Sequence, residues 1–212
     1  MIDWPEGTKK KYLTVNTFSR PGFERLSTIG LVAHSVGVAG QHPLETIAFW
    51  ESLKDQRMDD DIVDWFGSAG GVIGTDGQLY AAAPIDEEMY HVGSCRYEKH
   101  FRKLFPQWVT NRVYSKDPTV DGRTVSTYAT PNRILLGVEF SHSTEDGKPT
   151  SDQEDAFVEF ASRCMGAYGL NQIFQHNTVT GKYCHRWYVE HRDDWGKLMR
   201  KIAAVAKIQE GI

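Results

Sequence analysis

Short apolar runs alternate along the chain with stretches in which apolar residues recur at helical spacing. Residues 29–33 and 134–140 are apolar runs of the length of a buried strand, and the second is interrupted only by Glu139. Residues 173–176 form a shorter third run. Because predicted strands and helices alternate, the pattern favours an α/β fold with a central mixed β-sheet flanked by helices.

Three segments have the spacing of an amphipathic helix. The first begins at Pro43, and its predicted apolar face contains Leu44, Ile47, Ala48 and either Phe49 or Trp50. The second follows a predicted capping box, Ser151 to Glu154, and ends at Gly169. Its apolar stripe contains Phe157, Phe160, Ala161, Cys164, Met165 and Tyr168. The third, near the C-terminus, is marked by Trp195, Leu198, Met199, Ile202 and Ala206.

A β-hairpin is predicted between residues 70 and 81. Two apolar runs, 70–74 and 78–81, are separated by Thr75-Asp76-Gly77. An Asp-Gly pair between apolar runs is a strong signal for a tight turn.

Composition limits the classes of protein. Of the 212 residues, 40% are hydrophobic and 12% aromatic, which argues against disorder. The net charge of −4 predicts no general attraction to nucleic acid or membrane. No apolar stretch is long enough to span a bilayer, so we expect no stable membrane insertion. The three cysteines, Cys95, Cys164 and Cys184, are an odd number without framework spacing, so we expect no disulfide scaffold.

The length suits a single domain, 1–212, with a polar N-terminal arm at 1–28 and an insertion at 96–133. The first residues lack a cationic start followed by an apolar run, so we expect synthesis in the cytoplasm without a signal peptide. We also expect a monomer.

Candidate metal ligands lie at predicted strand ends. His34 and His176 each end a predicted strand, and Cys184 follows across a turn that contains Gly181. Two imidazoles and a thiolate suit zinc better than magnesium or calcium. From spacing alone the three residues are only suggestive, since a lone histidine or cysteine is more often structural.

The segment from His176 to Cys184 resembles the H-x-x-V-T-G-K-x-C segment of phage and bacillus N-acetylmuramoyl-L-alanine amidases. These share the fold of T7-type phage lysozyme and of peptidoglycan recognition proteins. Further similarities follow in family order: Leu31 to Ser35, Gly74 to Tyr80, Tyr90 to Gly93, and Leu136 to Glu139. The resemblance implies that this chain has the fold of the peptidoglycan recognition proteins. It also implies that the chain is a zinc-dependent hydrolase of bacterial peptidoglycan.

The same resemblance implies roles for individual residues. It makes zinc ligands of His34, His176 and Cys184. It makes Glu139 and Lys182 catalytic, and it places His91 in the substrate groove. Glu139 would pass a proton from water to the leaving nitrogen, and Lys182 would stabilise the oxyanion.

The chain departs from the family at two points. Some relatives have a catalytic tyrosine where this chain has Ser68-Ala69-Gly70, so that role is missing or falls to Glu139. The family often has proline after the ligand cysteine. Here His185 follows Cys184, which makes His185 a rival third ligand.

The 96–133 insertion is basic and aromatic in an otherwise acidic chain. It contains eight Lys and Arg residues against three Asp and Glu residues. We prefer a surface elaboration whose aromatic residues pack on the domain. The alternative is a groove wall that binds anionic wall polymer or a membrane surface, with its aromatic residues stacked on sugars. Charge reversal at Arg102 and Lys103 would test it.

The leading functional hypothesis is a phage or prophage endolysin that cleaves the amide bond between N-acetylmuramic acid and L-alanine. It would act on the bacterial cell wall and bind peptidoglycan rather than nucleic acid. Within the same chemistry, the alternatives are a cytoplasmic wall-recycling amidase and an exported antibacterial effector. An alternative of another class is a non-catalytic peptidoglycan-binding protein.

Overall fold

The computed structural model describes residues 2–56, 66–93, 97–106, 119–120, 123–124, 130–170 and 172–210. The strands are β1 (Lys9–Lys10), β2 (Gly30–Ser35), β3 (Gly71–Ile73), β4 (Leu79–Ala81), β5 (Thr119–Val120), β6 (Arg123–Thr124), β7 (Leu135–Phe140) and β8 (Ile173–Gln175). The α-helices are α1 (Pro43–Ser52), α2 (Lys99–Leu104), α3 (Ser151–Tyr168), α4 (His176–Thr180), α5 (Arg186–Glu190) and α6 (Arg192–Glu210). Short 3₁₀ helices lie at Leu53–Asp55 and Pro131–Arg133. None of the helices described is both long and apolar enough to cross a membrane.

Six of the strands form one mixed sheet in the order β1-β4-β3-β7-β2-β8. The β3–β4 pair is antiparallel, and the other neighbouring strands run parallel. This confirms the predicted α/β class with a mixed central sheet. Strands β5 and β6 form a separate two-stranded antiparallel pair.

Strand β2, an inner strand of the sheet, is apolar from Gly30 to Ala33 because both of its faces are covered. Leu31 and Ala33 belong to the core cluster shared with α3 and α6, whereas Val32 packs in the cluster that contains Phe101 and Phe174. All three β2 side chains are buried. Parallel strands that are covered on both faces read as continuous apolar runs, which is why this strand was predictable.

The predicted hairpin is confirmed as β3 and β4. Gly77 lies in its turn with φ +76°. A Cβ at that position would come within 2.8 Å of the Asp152 carbonyl oxygen, so both the backbone conformation and the packing require glycine.

The apolar face predicted for α1 is partly wrong. Leu44, Ala48 and Phe49 are exposed. The buried positions are Pro43, Thr46, Ile47 and Trp50. These four positions follow the 3.6-residue period from the first helical residue, so the face is rotated away from Leu44.

The N-terminal cap of α3 lies one residue earlier than predicted. Thr150 has an extended backbone and accepts from the Gln153 backbone N–H, while the Gln153 side chain accepts from the Thr150 N–H. Ser151 is already helical, so the predicted Ser151–Glu154 box is wrong. Gly169 ends the helix in the left-handed conformation, as predicted.

The apolar stripe predicted for α3 faces the core. Its buried members are Phe157, Phe160, Ala161 and Cys164. Met165 and Tyr168 are half-buried at its edge. At the C-terminus, α6 confirms the third predicted helix and buries Leu198, Ile202 and Ala206.

The N-terminal segment packs more closely on the domain than its polar pattern indicated. Strand β1 pairs in parallel with β4. The buried Trp4 donates from Nε1 to the Ala83 carbonyl at 2.8 Å and stacks on Phe160 with ring centroids 5.3 Å apart. This early part of the chain therefore contributes to the sheet and to the core.

The aromatic residues described at the start of the 96–133 insertion pack inward. Phe101 of α2 is fully buried, with Phe105 and Phe174 rings against it at 5.0 and 5.5 Å. That agrees with our preferred interpretation of the insertion. Trp108 and Tyr114, two further aromatic residues of the insertion, lie outside the described residues.

Candidate metal centre

The sheet topology brings the predicted site residues to one edge. Strands β7, β2 and β8 are parallel neighbours, so their carboxyl ends meet at the same edge of the sheet. His34 of β2 lies in register with Glu139 of β7. His176 follows β8 directly as the first residue of α4.

The chain after His176 turns back and returns Cys184 to this edge. Helix α4 ends at Gly181, whose φ of +77° places it in the left-handed region. The Asn177 backbone N–H then donates to the Cys184 carbonyl at 2.6 Å, which closes the turn. The return of the chain was predicted, but helix α4 was not, because five residues give too short a pattern.

Three ligand atoms converge inside the fold. The Nδ1 atoms of His34 and His176 are 3.0 Å apart, and the Cys184 Sγ lies 3.9 Å from the His34 Nδ1. All three atoms lie within 4.8 Å of one another. Tetrahedral zinc bonds of about 2.0–2.3 Å put ligand atoms roughly 3.3–3.7 Å apart, so this donor set fits zinc in chemistry and size.

Burial keeps the three side chains uncharged in the absence of a cation. It lowers the pKa of His34 well below the usual value and lowers the pKa of His176 to about 3. It raises the pKa of the Cys184 thiol to about 12. Two neutral imidazoles are ready to donate lone pairs, and a bound cation would release the thiol proton.

The position of Cys184 is fixed by its neighbour across the sheet edge. The Ser35 backbone N–H donates to the Cys184 Sγ at 3.3 Å. The Ser35 hydroxyl in turn accepts from the Arg186 backbone N–H at 3.2 Å. These contacts aim the sulfur toward the histidines and would stabilise a thiolate.

Glu139 lies at the same edge with one oxygen enclosed. Its Oε2 is buried and has no hydrogen-bond partner in the part of the chain that the structure describes. Burial raises the pKa of Glu139 to about 7, although the positive charge of Lys182 opposes the shift. A carboxyl group with such a pKa can exchange a proton near neutral pH.

Lys182 is exposed two residues before Cys184. Among the described residues it forms no salt bridge, yet its charge reaches the buried groups. Lys182 lowers the pKa of both Glu139 and His176. The ammonium group of Lys182 therefore acts on the candidate metal centre and has no carboxylate partner among the described residues.

His91 lies behind His34 and is buried rather than open to a groove. Its Nδ1 is 3.1 Å from the His34 Nε2, and its own Nε2 is 3.0 Å from the Leu135 carbonyl oxygen. The contact with substrate that the sequence suggested stays a prediction. The contact with His34 could not be found from the sequence.

His185, the rival ligand, lies in an aromatic pocket outside the cluster. Its ring packs between Phe140 and Tyr188, with centroids 5.0 and 4.7 Å away. Neither ring nitrogen has a hydrogen-bond partner among the residues described. The Cys184 sulfur, and not His185, joins His34 and His176 in the group that could hold a metal ion.

The sequence model of the N-acetylmuramoyl-L-alanine amidase family matches residues 28–196. The chain belongs to this family. The match begins just before β2 and ends inside α6, so it spans every residue of the candidate metal centre described above. No curated protein sequence matches the chain.

Solved structures share the amidase fold at low sequence identity. One, an endolysin N-acetylmuramoyl-L-alanine amidase from Clostridium intestinale, is 13% identical, with a TM-score of 0.54 over 85% of this chain and 87% of its own. A mutant endolysin from Bacillus subtilis is 15% identical, with a TM-score of 0.60 over 92% and 97%. The PlyG catalytic domain is 16% identical, with a TM-score of 0.60 over 94% of each chain. At these identities the likeness establishes the fold.

Proposed function

We propose that this amidase is a zinc-dependent N-acetylmuramoyl-L-alanine amidase that works as a phage or prophage endolysin. It would cleave the amide bond between N-acetylmuramic acid and the L-alanine of the stem peptide, in the bacterial cell wall. The observation that carries the proposal is the enclosed group of His34, His176 and Cys184 with Glu139 beside it. Two of the proteins with similar structures are endolysins, which supports the phage role.

His34, His176 and Cys184 would hold the zinc ion, which supplies a water of lowered pKa and polarises the substrate carbonyl. Glu139 is suited to the proton transfers. It lies in register with His34 and has a buried oxygen without a hydrogen-bond partner among the described residues. That oxygen would take a proton from the attacking water and give it to the leaving nitrogen of L-alanine.

Lys182 is suited to charge stabilisation at the carbonyl oxygen. Its ammonium group is exposed and forms no salt bridge among the described residues, so it remains free for substrate. A cation near the developing oxyanion stabilises the transition state more than the ground state. Glu139 would thus transfer protons, and Lys182 would stabilise the negative charge that develops on the carbonyl oxygen.

The bond cut by the protein identifies the function. Purified wall digested with the protein should release peptides with a free L-alanine amine and leave glycan strands intact, as seen by mass spectrometry. Metal analysis should find one zinc ion per chain, and a chelator should stop the release. Cleavage within the glycan or within the peptide would contradict the proposal.

A non-catalytic peptidoglycan-binding protein is the second candidate, since binding needs no zinc chemistry. The His34–His176–Cys184 group with Glu139 in register beside it favours the enzyme, because binding alone requires neither a metal centre nor a proton-transfer group. A protein that binds wall but releases no peptide would decide for the second candidate. Activity on soluble wall fragments but not on intact wall would favour a recycling role instead.

A further inference from the structure

Three histidines and a backbone carbonyl form a continuous line of contacts through the interior. It runs from the Leu135 carbonyl to His91, from His91 to His34, and from His34 to His176, with distances of 3.0, 3.1 and 3.0 Å. Every member is buried. We call this line the histidine chain.

The direction of the hydrogen bonds follows from the carbonyl. A carbonyl oxygen only accepts, so the His91 Nε2 that faces Leu135 must carry a proton. A neutral imidazole carries a single proton, so a ring that donates from Nε2 has a lone pair on Nδ1. That Nδ1 must accept, so the His34 Nε2 donates to it.

The His34 Nδ1 therefore carries no proton, and its lone pair is available to a metal ion. It points at the His176 Nδ1 and lies 3.9 Å from the Cys184 Sγ. A metal ligand whose other nitrogen donates to a fixed acceptor is held in one tautomer and one orientation.

Neighbouring residues fix the position of the His91 ring. We call the space that the ring occupies its seat. A Cβ on Gly137 would lie only 2.5 Å from the His91 Cγ and Nδ1, so the ring occupies the space that this glycine leaves in β7. The backbone around the ring is held by Asn132, whose Oδ1 accepts from the His91 and Val92 N–H groups at 3.1 and 2.9 Å.

We infer that His91 is a positioning residue that accepts from the His34 Nε2–H, so that the Nδ1 of His34 is presented to the metal, and that Gly137 provides its seat. The inference rests on the proposed zinc centre. Nothing in it requires His91 to touch substrate.

Zinc affinity measured by competition with a chromophoric chelator tests this without using catalysis. His91→Leu, which removes both hydrogen bonds, should raise the zinc dissociation constant by about 10–100-fold, the usual cost of losing such an outer partner. His91→Gln can both accept and donate, so it should recover a large part of the affinity. Gly137→Ala should act like His91→Leu although it removes no polar group, because it displaces the ring.

His142→Gln is the matched control. His142 is also buried and also sets its ring nitrogens against backbone carbonyls, those of Thr144 and Val36, but it contacts no proposed ligand. Its variant should lose some stability in a thermal melt and keep the zinc affinity of the parent.

The tautomers of the unmodified protein give an independent readout in case a variant does not fold. Long-range proton–nitrogen NMR should show protons on the Nε2 of His34 and His91. A proton on the His91 Nδ1, or wild-type zinc affinity in a folded His91→Leu protein, would overturn the inference. Failure of the parent to bind zinc would instead count against the proposed function.

Discussion

Two buried histidine environments flank Cys184, and they differ in how their polar atoms are satisfied. In the histidine chain, each contact joins a nitrogen to a partner at 3.0–3.1 Å. In the His185 pocket, formed by Phe140 and Tyr188, neither ring nitrogen has a partner among the described residues. The first environment sets the orientation of a ring, and the second merely encloses one. Burial of a histidine near a cysteine therefore does not by itself identify a ligand.

The unpartnered oxygen of Glu139 shows that the role of a buried polar atom depends on the residues around it. Like the His185 nitrogens, its Oε2 is buried without a partner in the described structure. Glu139, however, lies in register with His34 and feels the charge of Lys182. An unsatisfied group costs stability, so one beside a reactive cluster is a candidate for chemistry, whereas one among aromatic rings is a packing defect.

The largest effect on zinc binding should come from a substitution at Cys184, and the same kind of substitution at its neighbour His185 should have little effect. Cys184→Ala removes a direct ligand, so its zinc affinity should fall by more than the roughly 100-fold typical of an outer-partner change. His185→Phe should keep one zinc ion per chain, measured by metal analysis. Zinc lost from His185→Phe and kept by Cys184→Ala would reverse our assignment of the third ligand.

Glu139→Gln should separate chemistry from metal binding. Loss of a general acid–base group typically costs about 10²–10⁴-fold in rate, so peptide release from wall should fall by that order. Zinc affinity should stay close to that of the parent, because Glu139 is not a proposed ligand. An active Glu139→Gln protein would mean that its unpartnered oxygen is a packing defect like those of His185.

Acid should destabilise the fold through the His185 pocket. Burial lowers the pKa of His185 from 6.5 to about 3, so the unfolded chain binds a proton that the folded chain refuses. The stability from this neutral group is present above pH 6.5 and is lost as the pH falls toward 3. Between pH 6.5 and 4 the loss should be roughly 3 kcal/mol.

His185→Phe should remove that part of the pH dependence. Its unfolding free energy, measured by denaturant titration on metal-free protein, should fall less steeply with acid than that of the parent. Identical slopes would show that His185 is accessible to protons in the folded state.

The smallest effect is expected at α2, away from both environments. Arg102 and Lys103 are exposed there, and exposed charges are strongly screened by salt. On our preferred interpretation of the insertion, charge reversal at both positions should leave wall binding, its salt dependence and zinc affinity unchanged. Weaker wall binding at low salt would favour the groove-wall alternative instead.

The sequence predicted what depends on local pattern. Strand β2 was found because both its faces are buried, and the end of α3 because Gly169 must adopt a left-handed conformation. The ligand group was found through the resemblance of the segment that ends at Cys184 to a known family. The cap of α3 was misplaced by one residue because Thr150 and Ser151 are chemically alike, and only backbone geometry separates them.

The rest depends on contacts between distant parts of the chain. The approach of His91 to His34 requires the space left by Gly137, and no local pattern connects these three positions. The burial of Trp4 likewise depends on Phe160, far along the sequence. Such contacts become visible only once the sheet has assembled.

The proposed ligands lie far apart in the sequence. His34 is in β2, and His176 follows β8, 142 positions later. Such long-range closure is slow in folding, because the entropy of a large loop must be lost first. Strands β2, β7 and β8 must pair before the ligand atoms meet, so a growing chain cannot assemble the centre until Cys184 has been synthesised. On the proposed assignment, zinc uptake would follow the long-range pairing of the sheet and would report on it.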